Sequence, residues 1–283
     1  MTMFDDESEG YEEPDYEPDD EPDYAVARLR DRKIDEAKAV ILEQYFSVER
    51  SVYYARQIEI GLEKQFFHWI TKRALNELAA ERSIGSSVER LEHHVAHFYY
   101  PIRHRYPRRQ IREVIGMIAE FSAPVFTRAV GHHGELLVES AFARTGFHIL
   151  DQKVREVERV PWTQTGHDLD FLIERDGIRY GVEVKNQLGY IDQTEFGTKL
   201  AMCQFWAIRP MFVTRIMPAN YVHDVVRAGG FSMMTQNQNY PLLAGEFARR
   251  VRERLDLPVA VIERMPDTAL TRFRTWHDKS LTR

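Results

Sequence analysis

GHDLDFLIERDGIRYGVEVKN, residues 166–186, alternates apolar and polar positions on both sides of Asp176-Gly177. An Asp-Gly pair between two such runs signals a two-residue hairpin, because tight hairpin turns need backbone conformations that these residues adopt at little cost. With that loop, cross-strand partners have numbers summing to 353, so Arg175 faces Ile178, Asp170 faces Glu183 and Asp168 faces Lys185. A four-residue loop keeps this sum, whereas a three- or five-residue loop shifts the register. Leu169, Phe171 and Ile173 then share an apolar face with Val184, Val182 and Tyr180, and the polar residues converge on the opposite side. Two carboxylates directly across from each other repel, at a cost that burial increases, unless one takes a proton or a cation lies between them. A divalent cation is the economical solution. Hard Mg²⁺ suits a few carboxylate oxygens and retained waters, and Lys185 could stabilise a hydroxide nucleophile or phosphorane-like charge.

Working outward, residues 131–283 alternate helix-like and strand-like patterns, as an α/β domain does. The expected order is a helix over HGELLVESAFARTG, strands near FHILDQ, DLDFLIE and RYGVEVK, and a helix over TEFGTKLAMCQFWAI. A strand RPMFVTRI, a strand-like VRAGGFSMM, a helix GEFARRVRERL and a short strand PVAVI follow. Upstream, apolar residues recur at helical spacing from Asp31 to Glu81, which predicts three helices, with Ser51 as one N-cap and Thr71 near the start of another. VERLEHHVAHFYYPI, rich in β-branched and aromatic residues, reads as a hairpin. Three helices and a hairpin resemble a winged-helix domain in element order. The expected domains are an acidic tail 1–24, a helical nucleic-acid-binding module 25–107, a connecting helical segment 108–130, an α/β domain 131–270 and a basic C-terminal tail 271–283.

Charge is unevenly divided. The chain has 38 Lys and Arg against 44 Asp and Glu, but the first 24 residues hold twelve of the acids and no base, so residues 25–283 carry six more bases than acids. The acidic stretch reads as a disordered solubilising tail, with an internal mimic of nucleic acid as the sharper alternative. Arg103, Arg105, Arg108, Arg109 and Arg112 fall within ten positions without an acid, beside Phe98, Tyr99, Tyr100 and Tyr106. Guanidinium groups fork onto phosphates while aromatic faces stack on bases, which suits nucleic acid; a solvated Arg-rich linker is the plain alternative.

Asp170, twelve intervening residues, then Glu183-Val184-Lys185 in a hydrophobic strand resembles the PD-(D/E)xK nuclease superfamily, and Asn186 suits the pattern as well. The resemblance spans about residues 131–220 and implies a restriction-endonuclease-like mixed sheet flanked by helices, as in many restriction enzymes and the archaeal-type Holliday junction resolvases. It implies that Asp170, Glu183 and the Val184 carbonyl bind Mg²⁺, with Mn²⁺ as a substitute, while Lys185 positions or activates the attacking water. Many members also carry a glutamate on the helix before the first core strand. Here Glu135 takes that role, with Glu139 one turn on as its neighbour. Leu169 stands where the family name has proline, and Asp168 is a competing ligand.

The remaining features narrow the class. With 43% apolar and 29% charged residues the chain can build one large or two modest cores, and no apolar run approaches the roughly 18 residues a membrane span requires. The single cysteine, Cys203, forms no internal disulfide and reads as a core residue, and the start of the chain has no secretion pattern, so the expected location is intracellular. His93, His94, His97, His132 and His133 lack cysteine partners and HExxH spacing, so no zinc is assigned. Gly229-Gly230 lacks a phosphate-loop spacing and reads as a turn into a strand. Together these readings predict a metal-dependent endonuclease acting on DNA, with RNA as an alternative substrate, no membrane partner, and a homodimer left open. A nonenzymatic DNA-binding regulator with a nuclease-like scaffold is the alternative from another class.

Overall fold

The computed structural model describes residues 24–47 and 51–281. The expected acidic tail lies almost wholly outside them. The chain divides into two units, residues 1–123 and 124–283. The first contains α1 (Tyr24–Tyr45), β1 (Tyr53–Tyr54), α2 (Ala55–Gly61), α3 (His68–Ala80), β2 (Ile84–Arg90), β3 (Val95–Pro101) and α4 (Pro107–Ser122). Its sheet has the order β1-β3-β2 and is antiparallel throughout. The helical stripe read from the sequence forms its core: Ile34, Ala37 and Ile41 of α1 pack with Ile58, Leu62, Ala74, Leu75 and Leu78.

Two starts differ from expectation. Ser51 caps no helix; α2 begins after Tyr54, whose N–H is accepted by the Gln57 side chain at 2.8 Å. Thr71 is buried one turn inside α3, which starts at His68 because Phe66 and Ile70 both turn into the core.

The second unit contains α5 (Pro124–Thr145), β4 (His148–Val154), β5 (Glu156–Val157), β6 (Val160–Pro161), β7 (Leu169–Arg175), β8 (Ile178–Lys185), α6 (Gln193–Phe205) and β9 (Arg209–Thr214). It continues with α7 (Ala219–Arg227), β10 (Phe231–Met234), β11 (Gln238–Tyr240), α8 (Gly245–Leu255), β12 (Val259–Val261) and α9 (Asp267–Ser280). A mixed five-stranded sheet of order β10-β9-β8-β7-β4 organises it. The strands β4, β7 and β8 are antiparallel, whereas β9 and β10 run parallel to β8. Asp176 and Gly177 have φ of 53° and 74°, the doubly positive pair a type I′ turn needs. The pairs Phe171 with Val182 through Arg175 with Ile178 follow the expected register.

Helices cover both faces. Leu137, Val138 and Phe142 of α5, with Leu270 and Phe273 of α9, pack against Phe171, Ile173, Tyr180, Val182 and Val184. The other face meets α6 through Leu172, Met202 and Cys203. Leu169 was expected with Phe171 but packs on the α6 face, where its Cδ1 fills the space beside Gly181 that a β-carbon there would enter at 2.6 Å. The expected tail 271–283 is corrected as well. Its residues through Ser280 belong to α9, whose Phe273 and His277 are buried, so apolar packing outweighs its polar composition. The stretch read as strand-like VRAGGFSMM is the end of α7, a turn at Gly229 with φ 72°, and β10.

Candidate active site

The α6 helix meets β8 at three successive levels. Cys203 lies over Gly181, its Sγ 3.8 Å from the Gly181 carbonyl; Lys199 Nζ is 2.7 Å from Glu183 Oε2; and Glu195 Oε1 is 2.7 Å from Lys185 Nζ. The match is geometric: alternate residues of a strand are about 6.6 Å apart, and residues four apart on a helix rise about 6 Å. Gly181 permits the close approach, since its absent side chain leaves room for Leu169 and Cys203. Asp192 caps α6 by accepting the N–H groups of Thr194 and Glu195 at 2.8 and 3.0 Å, which fixes the end that carries Glu195.

Asp170 joins this group from β7. Its Oδ2 accepts the Val184 N–H at 2.7 Å, so the side chain, rather than the backbone of β7, takes that donor. Burial, then the nearby Glu183 charge, push the Asp170 carboxyl up to about 7, against the opposing pull of the Val184 N–H, Lys199 and Lys185. Glu183 is 1% exposed, and burial raises its pKa although both lysines oppose the shift. Lys185 Nζ sits between Glu183 Oε1 at 3.1 Å and Glu195. Burial works against its ammonium, but the two glutamates outweigh it and hold its pKa above the ordinary value. Lys185 is therefore a fixed cation at neutral pH and can act through its charge, not as a base.

Lys199 and Glu195 were missed by the sequence reading. Their four-residue spacing on the helix after the Glu183-Val184-Lys185 strand, with Lys199 inside an otherwise apolar run, is the signal that could have found them. Asp168, expected opposite Lys185, is engaged by Lys199 instead: its carbonyl accepts the ammonium and its Oδ1 is 4.0 Å away. Glu135 lies beside Gly134, whose missing side chain lets Asn186 approach at the end of β8; the Glu135 carboxylate pairs with His132 at 3.4 Å. Glu139 bonds Gln152 of β4. Asn186 is a tether: its amide donates to the carbonyls of Val130 and Asn239 and accepts the Asn239 N–H, each at 2.7 Å.

Asp170 and Glu183 offer the donor type and the charge that a hard divalent cation takes. Both supply carboxylate oxygens, and buried Glu183 Oε2 has an ionic contact with Lys199 but no aligned hydrogen bond. When Asp168, Asp170, Glu183 and Glu195 are ionised against Lys185 and Lys199, two negative charges remain, which one Mg²⁺ or Mn²⁺ would offset. Among the described residues, the three ligand-type side chains whose donor atoms lie within 4.8 Å of one another are Asp176, His277 and Asp278, at the turn end of the hairpin. There both ring nitrogens of His277 are engaged, by Tyr180 at 2.7 Å and Asp176 at 3.1 Å, and Arg175 pairs with both acids. That network fastens α9 to the hairpin.

In the first unit, Arg103, Arg105, Arg108, Arg109 and Arg112 are all exposed, on the loop after β3 and the first turns of α4. Arg109 pairs with Glu113 at 3.7 Å, and Arg112 donates to the Arg108 carbonyl at 3.3 Å. The first turn of α4 contains no acid, so Arg108 and Arg109 oppose the helix dipole, an arrangement that an anion would relieve. Phe98 and Tyr99 are buried and are removed from any stacking role, whereas Tyr106 is 72% exposed.

No protein-family model, curated protein or solved structure matches the chain. Among the described residues no single helix is long and apolar enough to cross a membrane.

Proposed function

We propose that the chain is a Mg²⁺-dependent nuclease that hydrolyses nucleic-acid phosphodiester bonds, DNA before RNA, with a nucleic-acid-binding first unit. The observation that carries this reading is the convergence of Asp170, Glu183 and Lys185 on one end of a mixed sheet, with both carboxyl groups buried and raised and the lysine held charged. Clusters of perturbed groups of this kind favour a functional site over an incidental ion pair. The order helix α5, antiparallel β4-β7-β8, helix α6 and parallel β9 supports it, since it resembles the order expected of a restriction-endonuclease-like core. In the first unit, the order α1-β1-α2-α3-β2-β3 resembles a winged helix, with Phe67 and Trp69 exposed at the start of α3.

Asp170, Glu183 and the Val184 carbonyl would hold the cation; Asp168, held by Lys199, is the additional carboxylate of the group, whereas Glu135 on α5 pairs with His132. A bound Mg²⁺ supplies Lewis-acid polarisation of a phosphoryl oxygen and lowers the pKa of water. The Lys185 ammonium stabilises negative charge developing on the phosphoryl group, and Glu195 keeps it protonated and aimed. The exposed arginines beside α4 neutralise backbone phosphates.

The test is incubation of the full chain with labelled linear, single-stranded, flapped and four-way-junction DNAs and matching RNAs, in Mg²⁺, Mn²⁺ or EDTA, beside Lys185→Ala. Metal-dependent cutting that Lys185→Ala abolishes, with binding largely kept, is the expected result. Tight metal-independent binding without cutting on every substrate would overturn it in favour of a nonenzymatic regulator.

A further inference from the structure

We propose that Lys199 is a positioning residue that fixes Glu183 before metal arrives and weakens the site's affinity for divalent cations. The inference rests on the nuclease reading and adds to it a residue outside the Asp170, Glu183, Lys185 pattern. Lys199 is 4% exposed, so its ammonium has exchanged water for protein partners almost completely. Those partners are Glu183 Oε2 at 2.7 Å and the Asp168 carbonyl, one on β8 and the other just before β7.

The position of this bridge matters. The β7–β8 pairing runs from Arg175 with Ile178 to Phe171 with Val182, and beyond it Asp170 uses its side chain to take the Val184 N–H. Lys199 therefore links the two strands just past their last backbone pair. Its charge compensates Glu183 in the metal-free protein and keeps that carboxylate from turning away from Asp170. The same charge, in contact with a ligand carboxylate, repels an arriving divalent ion. Lys185 cannot substitute, because it contacts the other Glu183 oxygen and is shared with Glu195.

The experiment titrates the full chain with Mn²⁺ alone, without nucleic acid, and reads free Mn²⁺ by electron paramagnetic resonance. Wild type is compared with Lys199→Gln, Lys199→Met, Lys199→Arg and Asp170→Asn. The neutral Gln and Met variants are expected to bind Mn²⁺ about tenfold tighter or more, the charge-preserving Arg variant to stay within about threefold of wild type, and Asp170→Asn to lose binding. Lys199→Gln retains a donor for both oxygens, so it decides the question if the methionine variant fails to fold. Wild-type or weaker affinity in the neutral variants overturns the role of Lys199 while leaving the nuclease reading intact. Absence of Mn²⁺ binding in wild type and every variant overturns the nuclease reading, and this inference with it.

Discussion

Asp170→Asn should stabilise the metal-free protein at alkaline pH and do so progressively less as pH falls. In the unfolded chain this carboxyl ionises near 3.8, whereas burial and Glu183 hold it at about 7 in the fold. Between those values the native state keeps a proton that the unfolded state has released, so stability falls as pH rises, by about 1.4 kcal/mol per unit, and levels off above pH 7. The full shift corresponds to about 4 kcal/mol, reduced where Asp170 and Glu183 share a proton. Asparagine can still accept the Val184 N–H but never ionises. Urea unfolding in EDTA, followed by tryptophan fluorescence, suits the question because Trp162, Trp206 and Trp276 report on the second unit and only Trp69 on the first. The stability gap between Asp170→Asn and wild type should widen by about 2 kcal/mol from pH 5 to pH 8, roughly a 1 M change in urea midpoint. Mg²⁺ should then raise wild type at pH 8 and leave the variant unmoved. A gap that does not change with pH, or a variant less stable than wild type at pH 8, would refute the argument.

Three further substitutions separate the scaffold from the site. Gly181→Ala places a β-carbon 2.6 Å from Leu169 Cδ1 and 2.7 Å from Cys203 Sγ, so thermal unfolding should show a loss of about 1–3 kcal/mol. It should also lower cleavage, because it pushes α6 and its Lys199 and Glu195 from β8. Asn186→Ala removes three hydrogen bonds and should cost about 2–4 kcal/mol in the same measurement. Gly177→Ala strains a turn residue at φ 74° and should cost about 1 kcal/mol while leaving cleavage unchanged, since the turn lies at the opposite end of the hairpin from Lys185.

The hairpin was legible because two local signals agree: a strand period of two and an Asp-Gly pair that only a tight turn uses well. The charge ladder on α6 was not, because it is a property of two elements in register. Glu195 and Lys199 alone read as an ordinary solvated helix pair, and only the Gly181 contact turns that face inward. The α9 helix was hidden by composition. Arg, Thr, Asp and Lys dominate it, yet Leu270, Phe273 and His277 recur at helical spacing and are buried. The aromatic run before the arginine cluster misled in the opposite sense: strand alternation and the core of the first unit claim Phe98 and Tyr99.

The Glu183–Lys199 pair also bears on the proposed metal chemistry of the second unit. A buried ion pair holds a fold together poorly, since desolvation of both charges roughly cancels their attraction, whereas removing one partner strands the other. Stability alone would favour apolar residues at both positions, against Cys203 and Leu169 one level along the same face. Replacing both, Glu183→Met with Lys199→Met, should therefore leave metal-free stability equal to wild type or above it. Glu183→Met alone should lose about 3–5 kcal/mol by leaving Lys199 buried without its carboxylate. Chemical denaturation in EDTA measures the double variant, Glu183→Met and Lys199→Met against wild type. A double variant as unstable as the sum of the two single changes would mean that these charges serve packing, and would remove the reason for assigning them to chemistry. A double variant that is stable yet binds no Mn²⁺ would show that the pair is retained for what it does to a cation and not for what it does to the fold.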